Sequence, residues 1–170
     1  MKINILLIIF IFILFNNTKA QESKGAIGLR FGYGWGISGK YFLDKNGNAL
    51  EFTLKQGVHG SLYNTSVLNF TTYYQKHFRI DRRGKWWFYT GGGAGLGFGK
   101  RYIKQNIVST GIAPVIGFDF WTQNLVVPFN ISFDYGPTLY YDRITKIKKN
   151  EISFSYLNFN IAVRIGLGRI

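Results

Sequence analysis

The chain predicts an all-β fold, a single closed antiparallel up-and-down β-barrel of about eight transmembrane strands. Three observations predict it. The stretch Leu157 to Leu167 alternates without a break, with Leu157, Phe159, Ile161, Val163, Ile165 and Leu167 on one parity and Asn158, Asn160, Ala162, Arg164 and Gly166 on the other. That is a period of two over the roughly nine to eleven residues a tilted spanning strand needs. The same alternation recurs along the chain between turn signals. An export signal stands in front of it.

Residues 1–20 read as a leader. Lys2 gives the positive start, Ile5 to Phe15 is a continuous apolar run, and Asn16 to Ala20 is a short polar end. This is the layout of a secretory signal peptide, cut between Ala20 and Gln21. The run is too short for a spanning helix, which takes about twenty apolar residues. Residues 21–170 are then one barrel domain.

The strands are taken in order. Ile27, Leu29, Phe31 and Tyr33 alternate with Gly28, Arg30, Gly32 and Gly34. A Gly-Trp-Gly bend leads to Ile37 to Leu43. Asp44-Lys45-Asn46-Gly47-Asn48 contains Asn-Gly, a strong hairpin signal. Leu50, Phe52 and Leu54 then alternate with Glu51, Thr53 and Lys55. After a loop at Gly57 to Ser61, Leu68, Phe70, Thr72 and Tyr74 oppose Asn69, Thr71, Tyr73 and Gln75. Arg79 to Lys85 is a charged turn. In the fifth strand, Trp86 to Gly99, five glycines share one parity: Gly91, Gly93, Gly95, Gly97 and Gly99. A glycine-lined wall inside a narrow barrel leaves room for Tyr and Arg from the opposite wall. Ile112, Ile116, Phe118 and Phe120 mark the sixth strand, with a bulge or strand end expected at Pro114. Val127, Phe129, Ile131, Phe133 and Tyr135 mark the seventh. Asp142 to Glu151 reads as a basic loop before the eighth.

The polar parity decides which way the apolar rows point. It is mostly Gly, Asn, Ser, Thr and Tyr, with few charges of nearly balanced sign. A soluble surface is far richer in charge. Arg30, Glu51, Lys55, Asp134 and Arg164 are therefore assigned to a charge network in the lumen, where buried charges must pair. Lys40 and Asp119 share that parity. Trp35, Trp86, Trp87, Trp121, Tyr140 and Tyr141 are assigned to an aromatic girdle at the membrane interfaces. Lys100, Arg101, Lys104, Arg143, Lys146, Lys148 and Lys149 are assigned to basic outer loops.

Composition narrows the chemistry. The formal net charge is +13, and removing Lys2 and Lys19 with the leader leaves +11. A basic excess suits anionic partners, and export argues against nucleic acid. No cysteine is present, so neither a disulfide framework nor a thiolate metal site is expected. Gly34-Trp35-Gly36-Ile37-Ser38-Gly39 fits G-x-G-x-x-G, but a strand pattern follows it where a dinucleotide site needs a helix. His59 and His77 are the only histidines. His59 with Ser61 is the one short-range pair suggestive of nucleophilic catalysis, and His77 reads as a hydrogen-bonded interior residue. No catalytic, cofactor or metal residue is assigned.

The segments GAIGLRFGYGWGISGKYFL (Gly25 to Leu43), ALEFTLKQG (Ala49 to Gly57), WWFYTGGGAGLGFG (Trp86 to Gly99) and FNIAVRIGLGRI (Phe159 to Ile170) resemble the small outer-membrane β-barrel proteins of the Bacteroidetes type. The resemblance implies residence in a Gram-negative outer membrane and insertion by the barrel-assembly machinery, which reads the last strand. Many such proteins end in an aromatic residue, whereas this chain ends in Ile170. The expected role is structural or interaction-based: a plugged barrel in the cell envelope whose basic loops meet membrane lipid such as lipopolysaccharide. The alternatives are a soluble exported lipocalin-like barrel holding an apolar ligand, and a barrel enzyme acting on lipid.

Overall fold

The computed structural model describes residues 24–59, 62–101, 105–122, 127–144, 149–156 and 158–167. The leader assigned to residues 1–20 lies outside them. Ten strand segments follow one another: β1 (Gly25–Gly32), β2 (Gly34–Phe42), β3 (Asn48–His59), β4 (Leu62–Arg79), β5 (Trp86–Arg101), β6 (Gln105–Trp121), β7 (Phe129–Tyr135), β8 (Thr138–Ile144), β9 (Lys149–Ser155) and β10 (Phe159–Leu167). Segments β7 and β8 are successive halves of one strand, both paired to β6. Segments β9 and β10 are likewise halves of the next, paired to β8 and β7. The pairing of β1 with β10 closes the sheet. The result is an eight-strand antiparallel barrel with up-and-down neighbours.

The register fixes its geometry. From Arg30 one route of paired residues runs through Gly36, Lys55, Asn69 and Gly97 to Ser109. The other runs through Ala162 and Ser132 to Asp119. Both routes end on β6, ten residues apart, which is the shear of the closed sheet. With eight strands that shear tilts them about 40° from the axis and leaves a bore that side chains can fill.

Two ends can be distinguished. Short connections lie at the near rim: the Asp44 to Gly47 turn and residues 80–85, while the facing ends of β6 and β7 meet there through the Thr122 N–H to Phe129 O bond at 2.9 Å. The first is tight because Asn46 and Asn48 donate their backbone N–H groups to Asp44 Oδ1, each at 3.0 Å, while Gly47 takes φ +85°. The far rim is uneven. β1 has 8 residues and turns at once into β2, with Gly34 at φ +133°, whereas β4 has 18. Above the β1–β2 hairpin the wall is missing, and β9 pairs only with β8 among the described residues.

Several sequence expectations are corrected here. Asp142 to Glu151 is not simply a loop: β8 and β9 continue as a hairpin in which Asp142 pairs with Glu151. Likewise Lys100 and Arg101 belong to β5, and β3 runs on to His59. Pro114 breaks nothing in β6. The interruption falls instead in the neighbouring strand, at Gly136 and Pro137, where a proline without an N–H needs no partner. The eighth strand keeps its expected parity over the described residues 158–164, but the preceding half of that strand is out of phase with it. Tyr156 and Phe159 both face outward, so the alternation slips between β9 and β10.

The apolar rows turn outward. Ile27, Leu29, Phe31, Trp35, Ile37, Phe70, Leu96, Ile112, Phe133 and Ile161 are all exposed. The opposite parity is buried and holds Arg30, Lys40, Glu51, Gln75, His77, Asp119, Asn130 and Arg164. The usual placement of greasy and charged side chains is therefore inverted.

Candidate functional site: a buried charge lattice in the lumen

The near half of the lumen is filled by three cations and three anions. Glu51 sits at the centre. Its Oε1 accepts from Arg30 Nη1 at 2.6 Å and from Arg164 Nη2, and its Oε2 accepts from Gln75 Nε2 at 2.7 Å. The second arm of Arg30 reaches Asp134 Oδ1 at 2.5 Å. Asp134 also accepts from Tyr89 Oη at 3.0 Å and from Asn160 Nδ2 at 3.1 Å. Arg164 donates further to Ser38 Oγ at 2.6 Å, to Asn130 Oδ1 at 2.8 Å and to Ser132 Oγ.

A second knot hangs from Asp119. Its Oδ2 accepts from Lys40 Nζ at 2.7 Å and its Oδ1 from Ser132 Oγ at 2.5 Å. His77 Nε2 lies 3.0 Å from the same Oδ2 and 3.4 Å from Lys40 Nζ, and Nδ1 lies 3.2 Å from Gly47 O. A proton on Nε2 is donated to Asp119 Oδ2 and one on Nδ1 to Gly47 O, so the tautomer decides which of these two acceptors the ring serves. Lys40 Nζ also sits 4.3 Å from the centre of the Tyr89 ring. Every carboxylate oxygen of Glu51, Asp119 and Asp134 has a donor. This matters because one unpaired charge inside would cost several kcal/mol.

Of the five residues assigned to the lumen network, Arg30, Glu51, Asp134 and Arg164 form this lattice. Lys55 does not join it through a carboxylate. Its Nζ donates to Asn160 Oδ1 at 2.6 Å and sits at 3.5 Å from Asn158 Oδ1, just above Asp134. Sequence reasoning left Lys40, Asp119, His77 and Gln75 out of the network, although their parity was visible. Lys40 pairs in register with Glu51, a pairing legible from the Asn-Gly hairpin. Its shorter bond is to Asp119, across the lumen, and only ring closure brings those two together.

The glycine wall works differently from the expectation. Tyr73 pairs with Gly93, Tyr89 with Gly117 and Tyr140 with Gly111, always on adjacent strands and not across the bore. A Cβ on Gly93 would stand 2.6 Å from Tyr73 Cδ1, and one on Gly117 would stand 2.7 Å from Tyr89 Cζ. Each ring lies flat over its neighbour's glycine. This explains why an inward ring fits where the bore is narrow.

The girdle assignment is corrected for three residues. Trp35, Trp86 and Tyr141 are exposed on the outer face. Trp121 is buried at the near rim, 6.0 Å from the Phe42 ring, because residue 121 shares the inward parity of Asp119. Tyr140 shares the inward parity and covers Gly111. Trp87 is half-buried and donates its indole N–H to Gly84 O at 3.0 Å. Among the basic residues, Lys100 and Arg143 are exposed on strands, Arg101 and Lys149 end strands, and Lys104, Lys146 and Lys148 lie outside the described residues. So does Ser61. No protein-family model, no curated protein and no solved structure matches this chain.

Proposed function

We propose that the protein is an outer-membrane β-barrel with a structural and interaction role, its lumen plugged by its own side chains. The observation that supports this most is the inversion of the fold: large apolar side chains cover the outside while six paired charges fill the inside. Water would penalise such an outside heavily, whereas hydrocarbon would not. The cross-strand ladder of a closed barrel also satisfies its backbone without water. The lattice around Glu51 blocks the near half of the bore, so the barrel conducts poorly. On this reading the leader directs export, the barrel-assembly machinery inserts the chain, and the chain is a member of the small outer-membrane barrels it resembles. The far rim, with Lys100 and Arg143, presents positive charge to anionic lipid such as lipopolysaccharide.

The test is fractionation followed by gel mobility. The protein should stay with membranes through carbonate extraction, and in detergent it should migrate as a compact form that expands on boiling. Planar-bilayer recordings should show no steady conductance. Release into the soluble fraction would overturn the reading and favour a soluble exported barrel.

A further inference from the structure

The outer wall carries a groove that the plugged-barrel reading does not use. It has a volume of about 620 Å³ and lies across β4, β5, β6 and β8. Its floor is made of small residues, Ala94, Thr110 and Gly111, and its sides are Phe70, Leu96, Leu139 and Tyr141. The groove exists because the outward residues at its centre, Ala94 and Thr110, are small and leave a trough down to the backbone of Gly95 and Gly111.

Beyond the far end of this trough the outer wall turns polar. Outward residues of successive strands change character at one level. Leu68, Phe98, Val108 and Tyr141 are apolar, and the next outward residues are Ser66, Lys100, Asn106 and Arg143. The tilt puts the two cations at one height. A rung climbs towards the far rim by just over one residue per strand, since ten residues of shear are spread over eight strands. Arg143 lies on the rung of Val108 and Phe98, two strands along from β5, and so reaches the level of Lys100. Two strand spacings and two residues of rise separate their Cα atoms by about 12 Å. Both side chains are exposed, and neither hydrogen-bonds or ion-pairs with any described residue.

We propose that this groove and its two cations form a binding site for a single phosphorylated membrane lipid, with an acyl chain in the trough and the phosphate between Lys100 and Arg143. An apolar slot of this volume is the size of a lipid or drug-sized ligand site, and cations just beyond it, at an apolar–polar boundary, complement a phosphate headgroup. A second copy of the chain fits less well. A two-fold contact centred on the groove would bring Lys100 and Arg143 of both copies together. The inference rests on the membrane reading above.

The probe is dioleoyl phosphatidic acid, compared with dioleoyl phosphatidylcholine and with inorganic phosphate. Native mass spectrometry of the detergent-solubilised barrel reads how much of each stays bound. Wild type should retain one phosphatidic acid with roughly a tenfold or greater preference over phosphatidylcholine, as two basic residues near a membrane surface imply. Inorganic phosphate should not bind. The double variant Lys100→Ala, Arg143→Ala should lose the preference while keeping the heat-modifiable gel shift. Ala94→Phe, which fills the trough from outside, should reduce retention of both lipids. A wild type with no preference, or a double variant that keeps it, overturns the site even if the barrel is membrane-inserted. Binding of inorganic phosphate as strongly as the lipid would do the same for the acyl part. Recovery of the protein without detergent in the soluble fraction would overturn the membrane reading itself.

Discussion

The near and far halves of this barrel solve the same problem in different ways. In the near half all eight strands are present, and the bore is filled by long charged side chains that reach across it. In the far half the β1–β2 hairpin has already ended, and the wall runs only from β3 round to β9. There Val67, Ile107 and Ile144 point inward and are buried, and Tyr140 lies on Gly111. The near half is held by long-range ion pairs and the far half by neighbour-to-neighbour packing. A charge lattice pins ring closure because its partners come from β1, β2, β3, β6, β7 and β10 at once. Tyrosine–glycine pairs pin only the register of adjacent strands.

The largest break in that comparison is Glu51→Ala. It strands Arg30 and Arg164 together at the centre of the bore, and loss of one member of a buried ion pair typically costs about 3–5 kcal/mol. Denaturant titration of the vesicle-embedded protein, followed by the gel shift, should show it. Lys55→Met in the half above removes a half-buried cation bound only to asparagine amides, and should cost under about 1 kcal/mol. Equal losses at the two positions would mean that the two halves are not differently held.

Next comes a pair of adjacent glycines. Gly93 faces the bore, where a Cβ would stand 2.4 Å from Thr72 O as well as against the Tyr73 ring. Gly93→Ala should destabilise by about 1–3 kcal/mol through overpacking. Gly92 faces outward, where the nearest atom to a Cβ would be Ala113 O at 4.0 Å. Gly92→Ala should be neutral or stabilise by up to about 1 kcal/mol, since it only restricts the unfolded chain. The same denaturant assay reads both, and a reversed order would place the glycine row on the wrong side of the wall.

These two experiments probe information that was unequally legible in the chain. A period of two is a local property, so the outward rows and the polar parity could be read directly. Arg30, Glu51, Asp134 and Arg164 came with that parity. What could not be read was which residues share a level, because that depends on the shear, and the shear exists only once β1 meets β10. For that reason Lys40 and Asp119 were visible as charges but not as partners. Trp121 and Tyr140 fail for a related reason. Nearness to a strand end suggests an interface, but parity decides whether the ring meets the outside or the bore. The slip between Tyr156 and Phe159 was hidden because both neighbouring segments alternate well by themselves.

The near rim offers the smallest and most local test. Asp81 Oδ1 accepts the Trp86 backbone N–H at 2.9 Å, and Gly84 closes the turn at φ +67°. That backbone donor holds the Asp81 carboxyl below its usual range. Asp44 is held down in the same way, first by the backbone N–H of Asn48 and then by its side-chain amide. A carboxyl whose pKa is depressed on folding contributes stability that is present above its unfolded value, about 3.9 for Asp, and is lost as pH falls through the lower folded value. Between pH 5 and pH 8 both turns should therefore be insensitive to pH. Below about pH 4 the amides of Asn48 and Trp86 should lose protection from hydrogen exchange, once corrected for the intrinsic rate. Asp81→Asn should make the Trp86 amide exchange faster at neutral pH and remove its acid dependence, leaving the interior strands unchanged. If acid opened the strands before the turns, the charge lattice, and not the rim, would be the part of the near half that yields first.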